Sequence, residues 1–280
     1  VDLARFVGAG GNEQVAGDPT FMTFGKSGTG GYSYRANNFP LAIATAGGAG
    51  AKAQLTGSDG ADSWLSTEAF ARMSGTTSAS KKYYLQVDGF SEVTGYAVGT
   101  TDRAFLYGSA SNDLFEAYPA YATLTPQGSG ASAFNYRVEG FRFVHAFEHL
   151  PGVSDTDSDI ANFYNDSAVF EQFEGRRAEA KMYSTSRYNR AVGFESVVAN
   201  SSGTGSPADV ARLYDEAGND ALTAGGSQAT LAYQGGGSIQ VNSMGTVQVD
   251  GSNGGDNTWK INSAIDFVLE TAPSGSWRQL

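Results

Sequence analysis

The chain has 280 residues, 40% hydrophobic and 12% aromatic, enough to bury a core in one large domain or two ordinary ones. Its net charge is −11 and only 17% of its residues are charged, which excludes a nucleic-acid binder built on clustered Lys and Arg. With no cysteine there are no disulfides, no thiol catalysis and no Cys-ligated metal, and no run of about 18 apolar residues offers a membrane-spanning helix.

Taken in order, the chain repeats itself. Asp2-Leu3-Ala4-Arg5-Phe6-Val7-Gly8 opens the first copy. Asp102-Arg103-Ala104-Phe105-Leu106-Tyr107-Gly108, Asp159-Ile160-Ala161-Asn162-Phe163-Tyr164-Asn165 and Asp209-Val210-Ala211-Arg212-Leu213-Tyr214-Asp215 open later ones. Degenerate copies begin at Ala51 and Asp256, so successive starts lie 49, 51, 57, 50 and 47 residues apart. A fixed period of roughly 20–50 residues marks a solenoid, a propeller or an array. The repeats fall at about 1–50, 51–101, 102–158, 159–208, 209–255 and a partial 256–280, read as one repeat domain.

Further columns recur inside each repeat. Asn38-Phe39, Gly89-Phe90, Gly140-Phe141, Gly193-Phe194 and Ser243-Met244 form a glycine–aromatic column. Met22/Phe24, Ala71/Met73, Ala122/Leu124, Ala180/Met182 and Ala229/Leu231 alternate small and large. Glu13/Val15, Asp62/Trp64, Asp113/Phe115, Asp220/Leu222 and Asp266/Val268 set an acid two residues before an apolar side chain, and the copy near Phe170 has lost its acid. The local period is two, as half-buried strands require, and turn clusters such as Gly57-Ser58-Asp59-Gly60 and Gly218-Asn219 separate the runs.

Each repeat thus holds about five short strands and cannot bury its apolar side chains alone. The expected fold is all-β: a parallel β-helix, or β-solenoid, of about five and a half repeats, with a β-propeller of one repeat per blade as the alternative. Ser66–Met73 and Pro207–Glu216 have short helical patterns but lie in register with strands, and are read as strand and turn. The loop from His149 to Asp159 lengthens one step and projects from the wall.

At its glycine–acid turns the chain resembles RTX (haemolysin-type) repeats. Ala217-Gly218-Asn219-Asp220-Ala221-Leu222 matches part of that pattern and Ser111-Asn112-Asp113-Leu114-Phe115 matches more loosely, about six residues per repeat. In that family such turns run in tandem and coordinate calcium; here they stand about fifty residues apart. More broadly, the repeat is similar to long repeats of secreted or surface-anchored bacterial proteins, which implies an extracellular or cell-surface location.

The chemistry-bearing residues are few. His145 and His149 are the only histidines, and with no cysteine they make a zinc site improbable. Asp155, Asp157 and Asp159 alternate as calcium-loop ligands do, without the glycine and distal Glu of an EF-hand, and are the candidate calcium site. The acid column has turn capping as its expected role. Glu171, Glu174 and Glu179, with Arg176 and Arg177, are the scattered candidates for sugar cleavage, which needs a carboxylate pair. No catalytic residue and no cofactor are assigned.

The reading that follows is a non-catalytic structural or adhesive extracellular repeat protein, a segment of a surface fibre or matrix. A chain opening on Val1 directly in a repeat reads as a processed product or a piece of something longer. Bare solenoid ends suggest end-to-end self-association. A β-helical carbohydrate-active enzyme and a calcium-stabilised adhesin are the alternatives, with polysaccharide as a candidate partner.

Overall fold

Side chains that alternate inward and outward every second residue form strands, and the computed structural model has no other regular element among its described residues, 2–127, 134–153, 157–202, 208–272 and 276–280. Repeat 1 carries β1 (Leu3–Val7), β2 (Gln14–Asp18), β3 (Phe21–Lys26), β4 (Tyr32–Asn37) and β5 (Leu41–Thr45). Repeat 2 carries β6 (Lys52–Thr56), β7 (Ala61–Thr67), β8 (Phe70–Thr76), β9 (Lys82–Asp88) and β10 (Glu92–Tyr96). Repeat 3 has β11 (Arg103–Tyr107), β12 (Asp113–Ala117), β13 (Tyr121–Pro126), β14 (Asn135–Glu139) and β15 (Phe143–Phe147). Repeat 4 has β16 (Ile160–Tyr164), β17 (Gln172–Arg176), β18 (Glu179–Tyr183), β19 (Tyr188–Val192) and β20 (Ser196–Asn200). Repeat 5 has β21 (Val210–Tyr214), β22 (Ala221–Gly226), β23 (Gln228–Ala232), β24 (Ser238–Asn242) and β25 (Thr246–Asp250). Repeat 6 has β26 (Asn257–Ile265), β27 (Val268–Ala272) and β28 (Trp277–Gln279).

The chain divides into two compact bodies, Val1–Asp113 with Ala120–Asp155, and Leu114–Pro119 with Thr156–Leu280. Each is a β-solenoid of stacked coils with two facing sheets; the solenoid, not the propeller, is what forms. One pairing rule runs through both. Within a repeat the leading and closing strands pair in parallel in one sheet: β1 with β5, β6 with β10, β11 with β15, β16 with β20, β21 with β25. The three strands between them form an antiparallel meander in the opposite sheet, as β2–β3–β4 and β7–β8–β9 do. The purely parallel coil expected from the sequence is therefore modified by a meander in each complete repeat.

Successive repeats join by two parallel pairings. The meander's first strand pairs with the next leading strand, as in β2–β6, β7–β11, β17–β21 and β22–β26. The closing strand pairs with the third strand of the next meander, as in β5–β9, β10–β14 and β20–β24. Each repeat crosses between sheets three times, an odd number, so the meander changes sheet from one repeat to the next.

The small/large column lies on the middle strand of each meander and is buried throughout, from Met22 and Phe24 to Ala229 and Leu231. Leu55, Leu106, Phe163 and Leu213 occupy one place on the leading strands and are likewise buried. Size is matched across the core. A Cβ on Gly95 would stand 2.5 Å from the Trp64 ring, and one on Gly175 would stand 2.6 Å from Ile239. The sixth repeat is short: β27 follows β26 directly and pairs with β25 as a third meander strand would. Asp266 and Val268 therefore do not belong to the acid column in which the sequence placed them.

The glycine–aromatic column is the corner between meander and closing strand. Its first residue has positive φ in all five copies: Asn38 (59°), Gly89 (70°), Gly140 (75°), Gly193 (97°) and Ser243 (57°). A left-handed conformation costs a residue with a Cβ about 1–2 kcal/mol, and glycine gives back part of that through unfolded-state entropy. Ser243→Gly is expected to raise stability by about 0.5–1 kcal/mol; a lower urea midpoint would contradict the corner assignment.

Candidate functional site

A backbone that leaves one sheet for the other carries buried N–H groups round the corner, and each needs an acceptor. The acids provide them. One stands before the leading strand (Asp102, Asp159, Asp209) and a second at the start of the meander (Glu13, Asp62, Asp113, Glu171, Asp220); all eight are buried. Glu13 Oε1 accepts from the amides of Ala9, Gly10 and Gly11 at 3.1, 3.2 and 3.1 Å. Asp62 accepts from the Ser58 amide and, at 2.9 Å, from its hydroxyl. Asp113 accepts from the Ser109 amide at 2.5 Å and hydroxyl at 3.1 Å. In the RTX-like turn, Asp220 uses both oxygens on amides, those of Glu216 (2.7 Å) and Gln234 (2.9 Å). Turn capping is thus what these acids do here.

The two acids also stitch repeats together. The N–H of Asp62 donates to Asp102 Oδ1 at 2.9 Å, and that of Glu171 to Asp209 Oδ1 at 2.8 Å. The N–H of Asp220 donates to Asn257 Oδ1 at 2.9 Å, so the sixth leading position is Asn257, one residue beyond the start read from the sequence. Burial would raise the Glu13 carboxyl, but the surrounding amides outweigh it and hold it below its ordinary range. Asp102 is shifted up, by burial first and by the nearby Asp62 charge, against the opposing amides of Asp62, Gly99 and Val98.

The fourth repeat keeps its acid as Glu171, contrary to the sequence reading, because Glu171 precedes Phe173 as Asp62 precedes Trp64. Arg187 closes on it, Nε to Oε1 at 2.7 Å and Nη2 to Oε2 at 2.5 Å, and also donates to the Tyr164 carbonyl at 2.7 Å. The equivalent residues of repeats 1, 2 and 3, six before the corner, are Tyr32, Tyr83 and Phe134, and repeat 5 has Gly237 there. The Tyr32 hydroxyl donates to Glu13 at 3.4 Å. Burial, then the Asp62 carboxylate, push the Tyr83 phenol far up, so it stays protonated. A longer acid with a cation in repeat 4 thus replaces a shorter acid with a phenol in repeat 2.

The remaining candidates are spread among structural pairs. Glu174 meets Lys181 at 2.9 Å and the Tyr183 hydroxyl at 2.6 Å, and burial with that carboxylate pushes Tyr183 up to about 12. Glu179 pairs with Arg190 at 2.5 Å. The Arg176 guanidinium lies 3.6 Å over the Tyr214 ring, and Arg177 donates to the carbonyls of Gly235 and Gly236 at 2.6 and 3.1 Å. His145 stacks on Phe105 at 5.2 Å on an outer sheet surface, and His149 Nε2 lies 3.2 Å from Glu148. Of the calcium candidates, Asp155 lies outside the described residues, and Asp159 is the buried leading acid, its N–H donating to Glu195 at 2.9 Å. Asp157 is described, and among the described residues no three His, Asp or Glu side chains gather as a metal site.

A hollow of about 1240 Å³ opens on the outer surface of β5, β7, β8, β9 and β11. It exists because Ser63 and Ser74 stand where repeat 4 carries Gln172 and Tyr183. Leu41, Ile43, Tyr84 and Arg103 border it. Its acids are Asp2 and Asp62, the latter with both oxygens engaged by Ser58. Tyr107 and Phe147 stack at 4.8 Å with planes 12° apart, so these rings face each other and leave their edges outward rather than a platform for a sugar ring.

No family model, curated protein or solved structure matches the chain. No helix among the described residues is long and apolar enough to cross a membrane.

Two stability measurements check the acid columns. Asp209→Ala removes the acceptor of the Glu171 amide and of Asn165 Nδ2 (2.7 Å), and is expected to cost about 1–3 kcal/mol. Glu92→Ala, which breaks the exposed Lys52 pair, should cost less than about 1 kcal/mol. Equal losses in urea unfolding would contradict the difference in role. Arg187→Met strands Glu171 and is expected to cost about 3–5 kcal/mol. The double change Glu171→Asp with Arg187→Tyr recreates the repeat 2 combination and should recover most of it; failure to recover in the same assay would show that the two corners are not interchangeable.

Proposed function

We propose that the chain is a non-catalytic structural segment whose work is to continue a β-solenoid, coil on coil, in an extracellular or surface-attached fibre or matrix. The observation that carries this reading is the use made of its acids: Asp62, Asp102, Glu171, Asp209 and Asp220 at the corners cap turns or join one repeat to the next. An enzyme that cleaves sugars needs two carboxylates facing one open cleft. Here Glu174 and Glu179 are tied to Lys181 and Arg190, and Glu171 is buried under Arg187. The likeness to RTX-type turns and to secreted bacterial repeats supports the extracellular setting, and Asp155, Asp157 and Asp159 remain the residues proposed for calcium if the loop binds it.

The test is a panel of neutral and acidic polysaccharides incubated with the protein. New reducing ends and unsaturated uronate absorbance are followed, and neither is expected. Turnover of any member of the panel, lost on heat denaturation, would overturn the non-catalytic reading.

A further inference from the structure

The surface at the start of the first repeat is one that later repeats bury. Tyr34, on the third meander strand, is 57% exposed, whereas its equivalents Leu85, Tyr136, Asn189 and Ile239 are 1, 1, 4 and 1% exposed. Phe39, the corner aromatic, is 37% exposed against 3, 7, 2 and 3% for Phe90, Phe141, Phe194 and Met244. Asp2 precedes β1 as Asp102 precedes β11 and Asp209 precedes β21, yet it is exposed where those are buried. The edges agree. β1 and β4 each have a partner on one side only, and they are a leading strand and a third meander strand, the two kinds that later repeats pair with the repeat before.

We propose that this surface is a docking site for one further repeat of the same kind. The proposal rests on the solenoid-segment reading and adds a partner and a polarity to it. β4 would receive the occupant's closing strand, and β1 the first strand of its meander. Asp2 would accept the N–H of the occupant's meander acid, as Asp102 and Asp209 accept those of Asp62 and Glu171. Tyr34 and Phe39 would become buried. The sixth repeat, although shortened, leaves β27 and β28 as the edge strands of the two sheets, a meander strand and a closing strand, the two kinds that β1 and β4 lack.

The experiment joins a second copy of repeat 5, residues 209–255, directly ahead of Val1 of the full chain. This spacing sets Asp2 two residues after Gly255, as Asn257 is in the native sequence. Amide hydrogen exchange is read in β1 and β4, with thermal unfolding alongside. The expected result is at least tenfold slower exchange in both strands and a single transition several degrees higher. Tyr34→Glu should be tolerated in the unfused chain and should abolish the gain in the repeat 5 fusion. Unchanged exchange in β1 and β4, or a fused segment that stays protease-labile, overturns the proposal. Polysaccharide turnover would instead strike the non-catalytic reading, so the two failures are distinguishable.

Discussion

Buried carboxylates accepting backbone amides at the corners are the constraint on which the rest of this fold depends. Strands need little help to lie side by side, because their ladders satisfy them, but a chain that crosses between sheets three times per repeat carries amides into places no ladder reaches. Asp62, Glu171 and Asp220 each accept a loop amide while their own N–H reaches the next repeat. One residue type therefore closes its own turn and fixes its neighbour's position. The acidity of the chain is in part the sum of these corners, and the charge that looks like a surface property is partly interior.

Packing then follows from which residues the corners deliver inward. Small and large side chains alternate along the middle meander strands, and bulk on one sheet meets glycine on the other, as Trp64 meets Gly95. Repeats 2 and 4 differ by a pair: Asp62 with the Tyr83 phenol in one, Glu171 with Arg187 in the other, and both acids stay buried. Where outward side chains shrink to Ser63 and Ser74, nothing inside changes and a hollow opens on the surface instead.

Much of this was legible from the residues alone. The period, the strands, the glycine–aromatic corner and the small/large column follow from alternation and spacing, and Phe90, Phe141 and Phe194 do occupy equivalent corners. The antiparallel meander was not legible, because period two is the same whichever way a neighbouring strand runs. The count of about five strands in each repeat was the trace of it. Glu171 escaped because the lengthened step before it hid its equivalence to Asp62, and Asn257 because its amide oxygen does the work of a carboxylate oxygen. The column at Tyr32, Tyr83, Phe134 and Arg187 shares no chemistry that a sequence pattern could register; only its common position beside an acid defines it.

The shortened sixth repeat shows what kind of length change this architecture tolerates. Losing a hairpin removes two strands at once, so the direction of the chain and the sheet it occupies are both preserved afterwards, and β27 still lies parallel to β25. Loss of a single strand would reverse everything downstream, sending apolar residues to the solvent side and polar ones inward. Growth and shrinkage by whole hairpins is thus the mode of variation that leaves the inside and outside of every later coil where they were.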